Sequence, residues 1–260
     1  MEWNFNIYHN ILDRCFVIYF NNLFNLYPIW LKYKIMKIYH ISDTHTFHGL
    51  LQIPEGIDIV IFSGDCSNPR DPYINEHEVR NFITWFDSLE IKHKIFVAGN
   101  HDTSIEKGLI VREDFEKHDI VYLENDTIEI EGIKIFGSPL TPTFGQWAFM
   151  KPRHKLDRIW ESVIDEDVDI LVTHGPPKTI LDLSEDRMRK LEFCGDKSLL
   201  NIVKKVKPKL HCFGHIHNCK EIINAGTRTI PQLDTIFSNG SVVTDGKFGK
   251  LTSNGNIIEI

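Results

Sequence analysis

From Lys37 onward, short runs of β-branched and apolar residues alternate with stretches in which apolar residues recur every three or four positions. The first pattern suits strands, whose side chains alternate faces, and the second suits helices that bury one stripe. Strands are predicted at Ile38–Ile41, Ile57–Phe62, Lys94–Val97, Ile120–Leu123, Ile133–Phe136, Ile170–Val172 and Leu210–Phe213. Helices are predicted at Glu76–Leu89, Leu156–Val163 and Lys197–Val206. Strands separated by helices point to one layered α/β domain over residues 36–260, with no repeat or low-complexity linker dividing it.

Residues 1–35 read differently and are set apart as an N-terminal extension. The most apolar stretch, Ile11 to Leu31, is interrupted by Asp13, Arg14, Asn21, Asn22 and Asn25, so it lacks the unbroken run of a membrane-spanning helix. The start, Met1-Glu2-Trp3-Asn4, has no basic region of the kind that opens an export signal. Two readings stand side by side: a dispensable extension before an alternative start at Met36, or an amphipathic helix that docks on the domain or a partner.

Composition and charge narrow the partners. With 42% hydrophobic and 25% charged residues the chain is an ordinary globular one. A net charge of -7 disfavours a broad nucleic-acid surface, which needs Lys and Arg in excess, and leaves a small anionic ligand easier to accommodate. The five cysteines, Cys15, Cys66, Cys194, Cys212 and Cys219, form no C-x-x-C pair or disulfide framework. Reduced thiols of an intracellular, cytoplasmic protein are the expectation.

Chemistry concentrates where the apolar runs end. Ser42-Asp43-Thr44-His45, Gly64-Asp65, Gly99-Asn100-His101-Asp102, Thr173-His174-Gly175 and Gly214-His215-Ile216-His217 each follow a predicted strand. The carboxyl ends of strands in an open α/β sheet are where ligands bind, so the five segments are expected to converge. Asp43 and His45, two apart, are expected to point to one side of an extended backbone. A lone histidine is more often a satisfied core or surface residue; His9, His77, His93, His118, His154 and His211 carry no companion pattern and are assigned nothing. Carboxylates, imidazoles and an amide oxygen together suit manganese, iron or zinc better than calcium or magnesium.

This set, in its order and spacing, resembles the calcineurin-like metallophosphoesterase superfamily, with D-x-H, G-D, G-N-H-D, a lone His and G-H-x-H all present. The resemblance implies a four-layer α/β/β/α sandwich with two mixed sheets. It implies two divalent metal ions, one held by Asp43, His45, Asp65 and His217 and the other by Asp65, Asn100, His174 and His215, with Asp65 bridging. Their formal charge of four exceeds that of two carboxylates, so the site would attract phosphate inside an acidic protein. A metal-bound hydroxide would attack phosphorus. His101 would be the general acid, with Asp102 orienting its imidazole.

Gly137-Ser138-Pro139, Pro142, Phe144, Trp147, Ala148, Phe149 and Thr173 to Pro177 look like the small metallophosphoesterase-domain-containing branch, which resembles phosphodiesterases active on cyclic nucleotides or aryl diesters. A phosphodiesterase acting on a small phosphate ester such as a nucleotide is therefore the expectation. A phosphomonoesterase on the same centre and a non-catalytic nucleotide-binding scaffold are the alternatives. Trp147 and Phe149 either stack on the leaving group or pack their loop, and packing is favoured. Cys66-Ser67-Asn68 departs from the family pattern, and Arg70 reads as a solvated surface residue.

Overall fold

The computed structural model describes residues 35–185, 188, 190–244 and 249–260. The extension set apart above lies, up to Lys34, outside the described residues. The first half of the domain runs β1 (Lys37–Ile41), β2 (Ile59–Phe62), α1 (Pro72–Asp87), β3 (His93–Phe96), α2 (Thr103–Glu106), α3 (Arg112–Glu116), β4 (Ile120–Tyr122), β5 (Asp126–Ile130) and β6 (Ile133–Ser138). It continues through β7 (Thr141–Pro142), β8 (Met150–Lys151), α4 (Arg153–Val163), β9 (Ile170–Thr173), β10 (Leu183–Glu185) and β11 (Leu191–Phe193). The last elements are α5 (Lys197–Val206), β12 (Leu210–Phe213), β13 (Gly226–Ile230), β14 (Leu233–Asn239) and β15 (Asn256–Glu259).

Two mixed sheets result. The first has the order β15-β1-β2-β3-β4, parallel except for β15. The second has the order β13-β14-β12-β9-β6-β5, with a parallel middle and antiparallel strands at both edges. Side-chain alternation splits each central strand between two cores. Ile59, Ile61, Ile95 and Val97 of the first sheet meet Ile135, Ile170, Val172, Leu210 and Cys212 of the second in one apolar layer. Val60, Phe62, Phe96, Leu171 and Phe213 point the other way, into a cluster shared with the helices. The protein is a four-layer α/β/β/α sandwich.

The helices seal the outer faces. Phe82 of α1 sits 4.4 Å from Phe62 and 5.5 Å from Phe96, ring centre to ring centre. Leu156 and Trp160 of α4 and Leu199, Ile202 and Val203 of α5 are buried in the same cluster. Trp160 Nε1 donates to Asp196 Oδ2 at 2.8 Å, and Asp196 also caps α5 by accepting from Ser198 N. Among the described residues no helix is long and apolar enough to cross a membrane.

The expected boundaries shift at element starts. Helix α1 begins at Pro72, four residues before the periodic stretch, because Asp71 accepts from the amides of Tyr73 and Ile74 and proline sits at the first turn. Strand β2 starts at Ile59 and not Ile57, and β3 occupies His93–Phe96, one residue earlier than expected. The strands that composition did not reveal include β5, β13 and β15, edge strands with much of their length exposed and so without an apolar run.

Candidate metal centre

Five loops meet at the carboxyl ends of β1, β2, β3, β9 and β12, drawn from both sheets. Among the described residues, three groups of ligand-bearing side chains have their donor atoms within 4.8 Å of one another: Asp43 with His45 and His217, His45 with Asp65 and His101, and Asp65 with His174 and His215. Asn100 joins them, its Oδ1 3.0 Å from His174 Nε2. All seven residues expected to hold metal therefore lie in one cluster. His101 enters a ligand group too, which the motif reading did not foresee.

The local backbone brings the donors together by a route other than the one expected. Asp43 and His45 do not share an extended strand; their φ angles are 52° and 42°, in the left-handed region. Asp65 (φ 60°) and His215 (φ 70°) are there as well. Non-glycine residues adopt this conformation at a cost, and four such residues at one site mark backbone strain held by the surrounding fold. Glycines supply the room: a Cβ at Gly214 would collide with Asp43 Oδ2 and Ser42 Oγ, and one at Gly99 with Asp65 Oδ1.

His45, His174 and Asp43 are aimed by second contacts. His45 Nδ1 lies 3.1 Å from Ser67 O, and His174 Nδ1 lies 2.8 Å from Ser63 O. A carbonyl oxygen only accepts, so each Nδ1 carries the proton and each Nε2 turns to the cluster. His174 Nε2 is 3.3 Å from Asp65 Oδ2, and His217 Nε2 is 3.0 Å from Asp43 Oδ1. Asp43 further accepts from the amide of His215 at 2.9 Å and from Ser241 Oγ at 2.7 Å. Ser241 follows β14, a strand with no sequence signal of its own, so nothing local pointed to it.

Burial and charge set the protonation states. Burial raises Asp43 and Asp65, yet the facing imidazoles more than offset it, leaving both carboxyls below the usual range. Burial carries His45 down to about 4 and His215 to about 3, so both are neutral and have a lone pair to give. For His174 burial acts downward, but Asp65 overrides it and lifts the imidazole to about 9. Two carboxylates, neutral imidazoles and an amide oxygen, all aimed inward, fit divalent metal ions.

The role expected of Asp102 is corrected. Its carboxylate accepts from the amides of Gly99, Asp65 and Cys66 at 2.7, 3.0 and 3.1 Å, from Ser67 Oγ at 2.8 Å and from Cys66 Sγ at 3.2 Å. These bonds tie the Gly64-Asp65 loop to the Gly99-Asn100 loop and consume the carboxylate. The His101 imidazole is instead met by the Asn68 carbonyl, 3.1 Å from Nδ1. His40, to which the sequence lent no role, bridges the two sheets behind the cluster, reaching Ser63 Oγ at 2.9 Å and Ser238 Oγ at 2.7 Å.

Above the cluster opens a cleft of about 520 Å³ lined by His45, Asp65, Asn100, His101, His215 and His217 on its floor. Pro142, Phe144 and Trp147 form one wall, and Ser184, Glu192 and Cys194 of the β10–β11 region form another beside Arg153. Phe149 is buried in the core, as the packing reading required, whereas Trp147 is half-buried on the cleft. Arg70 is exposed, and its guanidinium carbon stands 4.0 Å from the centre of the Trp147 ring. The β10–β11 wall escaped the sequence reading because neither short strand is apolar enough to register.

Comparison with known proteins agrees with this geometry. Residues 36–219 match the family model described as calcineurin-like phosphoesterase. Over 228 residues the chain is 34% identical to metallophosphoesterase domain-containing protein 1 of Homo sapiens and of Mus musculus, covering 78% of this chain and 65% of theirs. The chain thus spans about 65% of the length of these relatives. A UPF0046 protein of Caenorhabditis elegans is 35% identical over 207 residues, with 73% of this chain and 71% of that one covered. The solved structure of phosphopantetheinyl hydrolase from Mycobacterium tuberculosis shares the fold, with a TM-score of 0.52 at 14% identity over 80% of this chain and 89% of that one. Fold, ligand cluster and sequence match lead to one assignment: the chain belongs to the calcineurin-like phosphoesterase family.

Proposed function

We propose that the protein is a metal-dependent phosphodiesterase whose domain, residues 36–260, works through a dinuclear centre of manganese, iron or zinc. The observation that carries this reading is the position of Asp65, whose carboxylate belongs both to the group with His45 and to the group with His174 and His215. A carboxylate shared in this way suits a bridge between two ions. Asp43, His45, Asp65 and His217 would hold one, and Asp65, Asn100, His174 and His215 the other. When bound, two divalent cations acidify a water and neutralise phosphoryl oxygens.

The chain's own groups do the rest. Two buried carboxylates leave a dinuclear centre with net positive charge, so the floor binds an anionic ester. His101, with Nδ1 donating to Asn68 O, keeps Nε2 for the departing oxygen, and protonating that oxygen is worth about 10² to 10⁴ in rate. The walls favour a monoanion over a dianion. Among the described lining residues Arg153 is the one Lys or Arg, and its guanidinium is engaged with the carbonyls of Gly195 and Cys194 at 2.9 and 2.7 Å. Glu192 adds a negative charge to the same wall. A diester, singly charged, fits that balance better than a monoester.

The test is hydrolysis of an aryl phosphodiester and an aryl phosphomonoester by metal-depleted protein, with manganese, zinc or magnesium restored and His217→Ala as control. Metal-dependent diester cleavage that vanishes in the variant is the expected result. Preference for the monoester would make the protein a phosphatase, and metal binding without turnover would make it a nucleotide-binding scaffold.

A further inference from the structure

His101 is poorly fixed by its hydrogen bond alone. The Asn68 carbonyl anchors Nδ1, but a single bond at one corner of a five-membered ring leaves the ring free to tilt about that contact. Proton donation needs Nε2 held on the leaving oxygen, so the tilt must be set by something else. Asp102, spent on three amides, a hydroxyl and a thiol, does not supply it.

Trp147 lies against the face of the His101 ring. The two ring centroids are 4.0 Å apart with the planes inclined by 32°, while His45 meets the imidazole edge-on at 4.8 Å. Trp147 is itself well placed to act as a stop. Arg70 lies over the indole at 4.0 Å, Ala148 N donates to Asn100 O at 3.0 Å, and Phe149 N donates to Glu106 Oε1 at 2.8 Å. The two residues that follow Trp147 are thereby tied to the His101 loop and to α2. With an imidazole and a guanidinium already against it, the indole is committed to protein partners more than to a ligand.

Building on the phosphodiesterase reading, we propose that Trp147 is the positioning residue for His101, its indole, capped by Arg70, doing the orienting expected of Asp102. As the bond from phosphorus to the leaving oxygen breaks and one to the oxygen of water forms, the Nε2 proton passes to the leaving oxygen, and the proton given up by that water restores Nε2–H. Proton donation matters most when the leaving group is a poor one, so loss of Trp147 has a signature that loss of packing lacks.

The experiment compares Trp147→Ala, Trp147→Phe, Arg70→Ala and wild-type holoenzyme at one pH on phosphodiesters that share one ester group and differ in the other, from 4-nitrophenyl to alkyl. Trp147→Ala is expected to lose about 100-fold in kcat on the alkyl ester and under about threefold on the 4-nitrophenyl ester. KM should hardly move, Trp147→Phe should restore most of the rate, and Arg70→Ala should show the same pattern more weakly. A uniform loss across leaving groups would reduce Trp147 to packing, and a loss confined to the aryl ester with a raised KM would make it a stacking platform; either overturns the proposal. Long-range proton–nitrogen NMR of the metal-depleted full chain gives an answer independent of turnover. The His101 ring should give one sharp set of signals in wild type and Trp147→Phe and exchange-broadened signals in Trp147→Ala, and unchanged line widths in Trp147→Ala overturn the proposal even if no ester is cleaved. Wild-type inactivity on every ester would instead count against the phosphodiesterase reading.

Discussion

On the floor of the cleft Asp43, Asp65, Asn100 and His174 are at most 2% exposed, whereas Phe144 on the rim is 61% exposed and Glu192 and Phe193 stand on an exposed hairpin. The floor side chains are arranged by left-handed turns and crowded glycines that few other residues could replace. On the rim, Phe144 meets the His215 ring at 5.2 Å. The contrast teaches where change is tolerated. The candidate metal ligands are locked to the ends of central strands, while the cleft walls are loops that can vary without disturbing those strands.

The sharpest break of this contrast is at Asp65. Asp65→Asn removes a charge that two ligand groups share, and a loss of about 4 kcal/mol of transition-state stabilisation, about three decades in kcat/KM, is expected. Steady-state kinetics on the diester measures it; a loss under tenfold would show that the floor is not the reactive centre.

Asp102→Ala comes next. It strips acceptors from the amides of Gly99, Asp65 and Cys66 without touching a metal ligand, so metal affinity should fall about 10- to 100-fold, read by calorimetric titration with manganese. Burial and the nearby Asp65 raise the carboxyl pKa of Asp102, so Asp102→Asn, which keeps an acceptor, should be milder than alanine.

Per pH unit, a smaller effect is expected on stability. Burial lowers His40 and His211 to about 3, against an ordinary 6.5, so both stay neutral in the fold. Below pH 6.5 the unfolded chain takes up protons that the folded state refuses, and stability falls as pH falls toward 3. Each group contributes about 1.4 kcal/mol per pH unit across that window, or a few degrees in Tm for a domain of this size. Melting of metal-depleted His211→Gln should show a shallower acid slope than wild type; equal slopes would mean that His211 is already charged in the fold.

The smallest change is at the rim. Glu192→Gln should raise kcat/KM for the aryl monoester by up to about fivefold and leave the diester nearly unaffected, because an exposed charge acts through solvent. A larger effect on the diester would move Glu192 from rim to floor.

What could be read from the chain alone follows the same division. The central strands β1, β2, β9 and β12 declared themselves because nearly every residue in them is buried on one face or the other, which demands an apolar run. The metal-site residues were legible because each stands within five positions of such a run, in short motifs whose donor types have few other uses. Edge strands β13 and β15, half exposed, had no comparable pattern, and the hairpin that walls the cleft had less.

By itself, then, the sequence determined the layered architecture, the family and which residues gather at the candidate centre, since burial periodicity and motif chemistry are written locally. Tertiary structure alone decided how the donors are aimed. Ser241 reaches Asp43 across 198 positions, Ser63 O orients His174 across 111, and Asp102 binds the Asp65 amide across 37. Such bonds join groups whose neighbours in the chain are unremarkable, so no local pattern encodes them. The same holds for Trp147 and His101, which meet because two loops that leave different strands are closed upon each other by the fold.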